Sequence, residues 1–143
     1  MRHHRHAEVG AAAVVSWSLG LGFGMPGAYG AWYFADRGEV WSFLGFPTYG
    51  DGPFESIGIE TSTTLLIVFS LVCLAELVAG LGLWRRRHPG AILALALLPI
   101  ELVFWIGFAL PFGLVLGLAR TAFILLGWSA FGRATTDPRA FNR

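Results

Sequence analysis

The chain has 143 residues and a formal net charge of +1; 55% of its residues are apolar and only 13% are charged. A soluble domain of this size needs more polar surface, and so balanced a charge gives no reason to expect a nucleic-acid partner. The composition points instead to an integral membrane protein of a single domain.

The basic start Met1-Arg2-His3-His4-Arg5-His6 followed by an apolar stretch has the outline of a signal peptide, with small residues at Ala28-Tyr29-Gly30. The stretch is too long for a signal core, and Gly20, Gly22, Gly24, Pro26, Gly27 and Gly30 suit a kinked span packed against neighbours. The first span is therefore predicted over 11–34, the length a hydrocarbon core of about 30 Å requires. Three further apolar runs, 61–84, 90–110 and 112–131, meet the same requirement. The expected fold is an all-α bundle of four transmembrane helices.

Between the first two spans lies a long segment, 35–60, carrying Trp41, Phe43, Phe46, Tyr49 and Phe54. Residues 39–46 are expected to form a short interfacial helix, ended by Pro47, with a turn at Tyr49-Gly50-Asp51-Gly52-Pro53. The segment reads either as an interfacial anchor, since Trp and Tyr favour that zone, or as a lid over a pocket between the helices. Trp41, Phe46, Tyr49 and Trp105 are the candidate pocket or lid residues.

Charge placement sets the expected orientation. Arg2, Arg5, Arg85, Arg86, Arg87, Arg133, Arg139 and Arg143 fall at the N-terminus, in the second loop or at the C-terminus, whereas segment 35–60 is acidic. The positive-inside rule then makes both termini cytoplasmic and the aromatic loop extracytoplasmic. Basic residues are all arginine, with no lysine or glutamine in the chain; this bias fits a GC-rich bacterial genome, and the expected location of the bundle is the cytoplasmic membrane of a bacterium.

Three ionisable residues stand inside spans: Glu76, Glu101 and Arg120. The short turn Leu110-Pro111-Phe112-Gly113 forces the last two spans into an antiparallel hairpin. Glu101 and Arg120 lie at equal separations from it, roughly 15 Å along each helix axis, and so share a depth. An isolated charge near the bilayer centre costs at least about 2.5–3.5 kcal/mol, so an ion pair between them is expected to face the interior. Pro99 should release the Leu95 carbonyl beside it. With one buried arginine for two acids, one carboxyl stays protonated. Glu76 is the candidate for the proton-carrying acid and Glu101 for the ionised one. The three residues are read as an ion-pair centre that fixes helix register or as a ligand or ion site.

Glycines at Gly20 and Gly24, and at Gly113 and Gly117, stand four apart, where helix backbones approach closely. They serve packing within the chain, a homo-oligomer, or a partner in a larger membrane complex. The stretch Gly22-Phe23-Gly24-Met25-Pro26-Gly27 has dinucleotide-binding spacing but lacks the surrounding βαβ unit. His3, His4, His6 and His88 all fall at span ends, so no pair can ligate a haem within the membrane. Cys73 is the only cysteine, which excludes an intrachain disulfide and reads as a small buried apolar residue. No catalytic residue, metal or cofactor is assigned.

In layout, with Glu76 and Glu101 inside spans, the chain resembles small four-helix bacterial membrane proteins of the DoxX-like kind, and more distantly the sterol-isomerase and sigma-2-receptor superfamily. The latter sets acidic residues of a helical bundle around an apolar ligand. Buried charge under an aromatic loop is read as a binding or accessory role more than an enzyme: a bundle holding a lipid-like molecule by its polar end, gripped by the acids and the arginine. The alternative is a proton-coupled transporter of a small solute in which Glu76 titrates. Small multidrug exporters also have four spans and a membrane glutamate, but here the first span has no acid and a buried arginine is present.

Overall fold

The structure, a computed structural model, describes residues 2–131, with side chains from residue 6 onward. The C-terminal Arg133, Arg139 and Arg143 lie outside the described residues, as do the side chains of Arg2, His3, His4 and Arg5. The chain is mainly helical: α1 (Arg2–Arg37), α2 (Pro53–Ser56), α3 (Thr63–Trp84), α4 (His88–Gly107) and α5 (Pro111–Leu126), followed by a 3-10 turn at Trp128–Ala130. α1, α3 and α4 are long and apolar enough to cross a membrane, and α5 is a shorter apolar helix.

Helix boundaries follow local chemistry. The Ser62 side chain caps α3 by accepting from Leu65 N at 3.2 Å, and α4 and α5 each have a proline in their first turn. Both short interhelical turns close in one way. At the end of α3, Arg87 N donates to Gly82 O and Arg86 N to Leu83 O, with Arg86 at φ 54°. At the end of α4, Leu110 N donates to Trp105 O and Ala109 N to Ile106 O, with Ala109 at φ 53°. These are Schellman closures with a non-glycine residue in the left-handed position; they turn each helix directly into its antiparallel neighbour.

α1 packs against α3 and α5, and α4 against α3 and α5, so the helices close a ring in the order α1, α3, α4, α5. Glycines make the close contacts. A Cβ at Gly20 would meet Leu77, at Gly24 Cys73, at Gly27 Ser70 and at Gly30 Leu66; the falling partner numbers show α1 and α3 running antiparallel. Gly113 and Gly117 of α5 lie against the Trp105 ring of α4, and the Gly82 and Gly90 backbones touch. Both expected glycine pairs are therefore used in packing within this chain.

Polarity is inside-out relative to a soluble bundle. Leu21, Leu71, Leu74, Val103, Val115 and Leu118 are exposed on the outer surface, while Ser16, Glu76, Glu101 and Arg120 are buried in the centre. Apolar surface on this scale requires a covering phase, and hydrocarbon satisfies it.

Segment 38–62 departs from the expected conformation. Residues 39–46 do not form a helix: Ser42–Phe43 (β1) pairs antiparallel with Phe46–Pro47 (β2), joined by Leu44 and Gly45, at φ 52° and 83°. Two consecutive positive φ angles make the type I′ turn that matches strand twist. The helical element instead begins at Pro53, whose fixed φ suits a first turn.

Candidate functional site

α4 and α5 face each other in antiparallel register, and Glu101 and Arg120 meet as two bonded side chains. Arg120 Nη1 donates to Glu101 Oε1 at 3.2 Å and Nη2 to Glu101 Oε2 at 2.8 Å, the paired geometry that matches a guanidinium to a carboxylate. Nη2 also donates to the Ala94 carbonyl at 3.1 Å. The backbone oxygen taken up near Pro99 is thus Ala94's rather than that of Leu95. The carbonyl freed by the proline need not be the one facing the bundle interior, and Ala94, fully buried, faces it.

The same arginine serves the third charged residue. Glu76 Oε1 of α3 lies 2.5 Å from Arg120 Nη1, off the N–H axes and so without an aligned hydrogen bond. Both Glu76 carboxyl oxygens are buried, and the Ser16 hydroxyl of α1 stands beside them as a side-chain hydrogen-bond neighbour. All three charged side chains are at most 4% exposed. Two carboxyl groups therefore share one guanidinium, Glu101 by paired bonds and Glu76 by a single close ion contact.

A void of about 10 Å³ opens beside the acids, the room one water needs. Glu76, Glu101 and Cys73 line it, together with the apolar walls Leu19, Phe23, Phe69 and Trp105. No family model, curated protein or solved structure matches this chain. The reading of the centre rests on its geometry.

The candidate pocket and lid residues separate. Tyr49 is 3% exposed and packs on Phe69 and Phe108 at ring distances of 5.2 and 5.3 Å. Burial raises the pKa of its phenol, keeping the hydroxyl a donor. Trp105 is a wall of the void, held against the α5 glycines rather than at the bundle mouth. Trp41 packs edge-on against Tyr29 of α1. Phe46 is 76% exposed on the hairpin and does not line the void.

The sequence reading missed Ser16, the polar end of the stripe Ser16, Gly20, Gly24 on the α1 face against α3; its four-residue spacing from Gly20 was the available signal. It also missed Thr61, whose hydroxyl reaches the Tyr49 carbonyl at 2.8 Å and Glu55 Oε1 at 3.0 Å. No local pattern marks that link. Among the described residues, no cluster of three or more His, Cys, Asp or Glu side chains could hold a metal ion.

Proposed function

We propose that this protein is a four-span protein of a bacterial cytoplasmic membrane, with both termini inside, and that it couples the movement of a proton to passage of a small solute. The observation that carries the reading is that two buried carboxyls, Glu76 and Glu101, share one guanidinium beside a water-sized void that both line. With both acids ionised the centre bears one uncompensated negative charge in a low-dielectric interior, a costly state that one proton removes. Glu76 is the acid that takes it, since Glu101 is committed to Arg120 by two aligned bonds. The groups facing Glu76 are Ser16 of α1, Glu101 of α4 and Arg120 of α5, with Cys73 on its own helix. α5 is short, but its antiparallel pairing with α4 supports a fourth crossing that returns the C-terminus to the side of the Arg85-Arg86-Arg87 turn.

The reading as a bundle that grips the polar end of a lipid-like molecule draws support from the apolar walls of the same void. At one water's width the void admits no such ligand, so the proton is the occupant the geometry supports best.

Proteoliposomes loaded with a pH-sensitive dye test the proposal. Small organic cations and anions are added one at a time, and the wild type is expected to acidify or alkalinise the lumen with one of them while folded Glu76→Gln does not. Equal proton movement in both proteins, or none with any probe, overturns it. Native mass spectrometry showing a retained apolar molecule that is lost in Glu101→Ala would establish the lipid-like ligand instead.

A further inference from the structure

The two ends of the bundle are closed by different means. Toward the basic turn, Ala12, Ala13, Ala79, Leu83, Ala91 and Ile124 are wholly buried, and the Gly82 and Gly90 backbones touch. Among the described residues this end is closed by helices packed directly on helices, with Phe131 after the 3-10 turn buried against them. At the other end the cover is segment 38–62, a length of chain that carries its own internal bonds.

That segment divides its side chains between two duties. Phe43, Leu44 and Phe46 of the hairpin point away and are more than half exposed, whereas Tyr49 and Phe54 turn inward. Phe54 lies against Gly107, where a Cβ would collide with its ring. Tyr49 goes deeper: its hydroxyl donates to the Phe23 carbonyl of α1 at 2.8 Å, and its ring rests on Phe69 of α3. Phe23 and Phe69 are themselves walls of the void beside Glu76 and Glu101. One loop side chain therefore ties together two helices that enclose the buried acids.

The backbone around Tyr49 is held in a strained conformation by one buried and one exposed hydrogen bond. Tyr49 and Asp51 have φ of 66° and 54°, in the left-handed region that non-glycine residues rarely adopt. The conformation is kept by Thr61 on the Tyr49 carbonyl and by the Glu55 carboxylate, which accepts from Asp51 N at 3.0 Å. Release of these bonds relieves that strain.

We infer that Tyr49 is the latch deciding from which side the buried acids are reached: with its hydroxyl on the Phe23 carbonyl it holds the walls Phe23 and Phe69 together beside the void, and its withdrawal widens the void toward the extracytoplasmic side alone. The inference rests on reading the Glu76, Glu101 and Arg120 centre as the working site. It concerns access to that site and not what the site carries.

Cys73 supplies the reporter, being the chain's only cysteine and a lining residue of the void. Its labelling by a small, charged, membrane-impermeant thiosulfonate is measured in spheroplasts and in inside-out vesicles. In spheroplasts Tyr49→Phe should label about fivefold faster than wild type, the shift that loss of one hydrogen bond allows, and Tyr49→Ala faster still. Phe46→Ala should match wild type, and Cys73→Ala should give the blank. Inside-out vesicles should show no acceleration. Should Tyr49→Ala fail to fold, Tyr49→Phe, which keeps the ring packing, decides the question. Equal spheroplast rates in wild type and Tyr49→Phe, or acceleration from the cytoplasmic side, overturn the latch. A working latch in a protein that moves no protons would leave this inference standing and remove the transport proposal, so the two fail separately.

Discussion

Arg120→Met is the perturbation that most sharply separates a shared charge centre from three independent polar residues. Methionine keeps most of the stem's volume, so the packing loss is small and the effect comes from the guanidinium. Its removal deletes two bonds to Glu101, one to the Ala94 carbonyl and the contact with Glu76. Both carboxyls are then buried without a counter-charge. Breaking a buried pair from one side costs about 3–5 kcal/mol, and Arg120→Met should fall in that range at neutral pH in reversible detergent unfolding followed by tryptophan fluorescence. The loss should shrink on acidification, as the orphaned carboxyls take up protons. Combining it with Glu76→Gln and Glu101→Gln should recover at least half of the stability, because the uncompensated charges leave together. Among single changes, Glu101→Gln should cost more than Glu76→Gln, since Glu101 holds Arg120 by two aligned bonds and Glu76 by one ion contact. If Arg120→Met costs less than about 1 kcal/mol, or the triple variant is the least stable of all, the three residues do not form one centre.

Gly90→Ala should destabilise by about 1–3 kcal/mol, because the new methyl meets the Gly82 backbone; Gly22→Ala, where nothing lies within 4 Å, should be neutral or up to about 1 kcal/mol stabilising by helix propensity, and thermal melts in detergent compare them. Leu44→Asn should raise the melting temperature, by roughly 0.5–1 kcal/mol of turn stability, since it places Asn-Gly in the type I′ turn that now holds Leu44 at φ 52°. The raised pKa of the Tyr49 phenol gives a pH signature. The folded state binds that proton more tightly than the unfolded one, so stability is unaffected below the ordinary phenol range and falls above about pH 10. Alkaline unfolding of wild type should therefore be steeper than that of Tyr49→Phe.

Much of the bundle was legible because two of its helix connections are short. The turn at Pro111 fixes depth, and depth alone brings Glu101 and Arg120 together. Glu76 was harder to place. Its separation from the Arg86 turn differs from that of Glu101 by five residues, about 7 Å at helical rise, and only the reach of long side chains closes that gap onto one arginine. The glycine stripes were legible as close-packing faces, but which helix fills each face depends on the ring order, which no local spacing encodes. The outer loop was the least legible part. Apolar spacing over 39–46 resembled a short helix, and the hairpin signal was masked because leucine, not asparagine, occupies the first left-handed turn position. Tyr49 and Phe46 look alike as aromatic loop residues; backbone strain at Tyr49 and its bond to Phe23 turn one inward, while the turn at Leu44 and Gly45 carries the other outward.

The central claim is that one arginine holds two buried acids and that the excess negative charge is met by a proton on Glu76. Infrared difference spectroscopy of the protein in lipid, titrated with pH in heavy water, reads that proton directly through the carbonyl stretch of a protonated carboxyl. The account predicts a titrating carboxyl band in wild type and in Cys73→Ala that disappears in Glu76→Gln. A spectrum with no protonated carboxyl, or a band that survives Glu76→Gln and vanishes in Glu101→Gln, would contradict it.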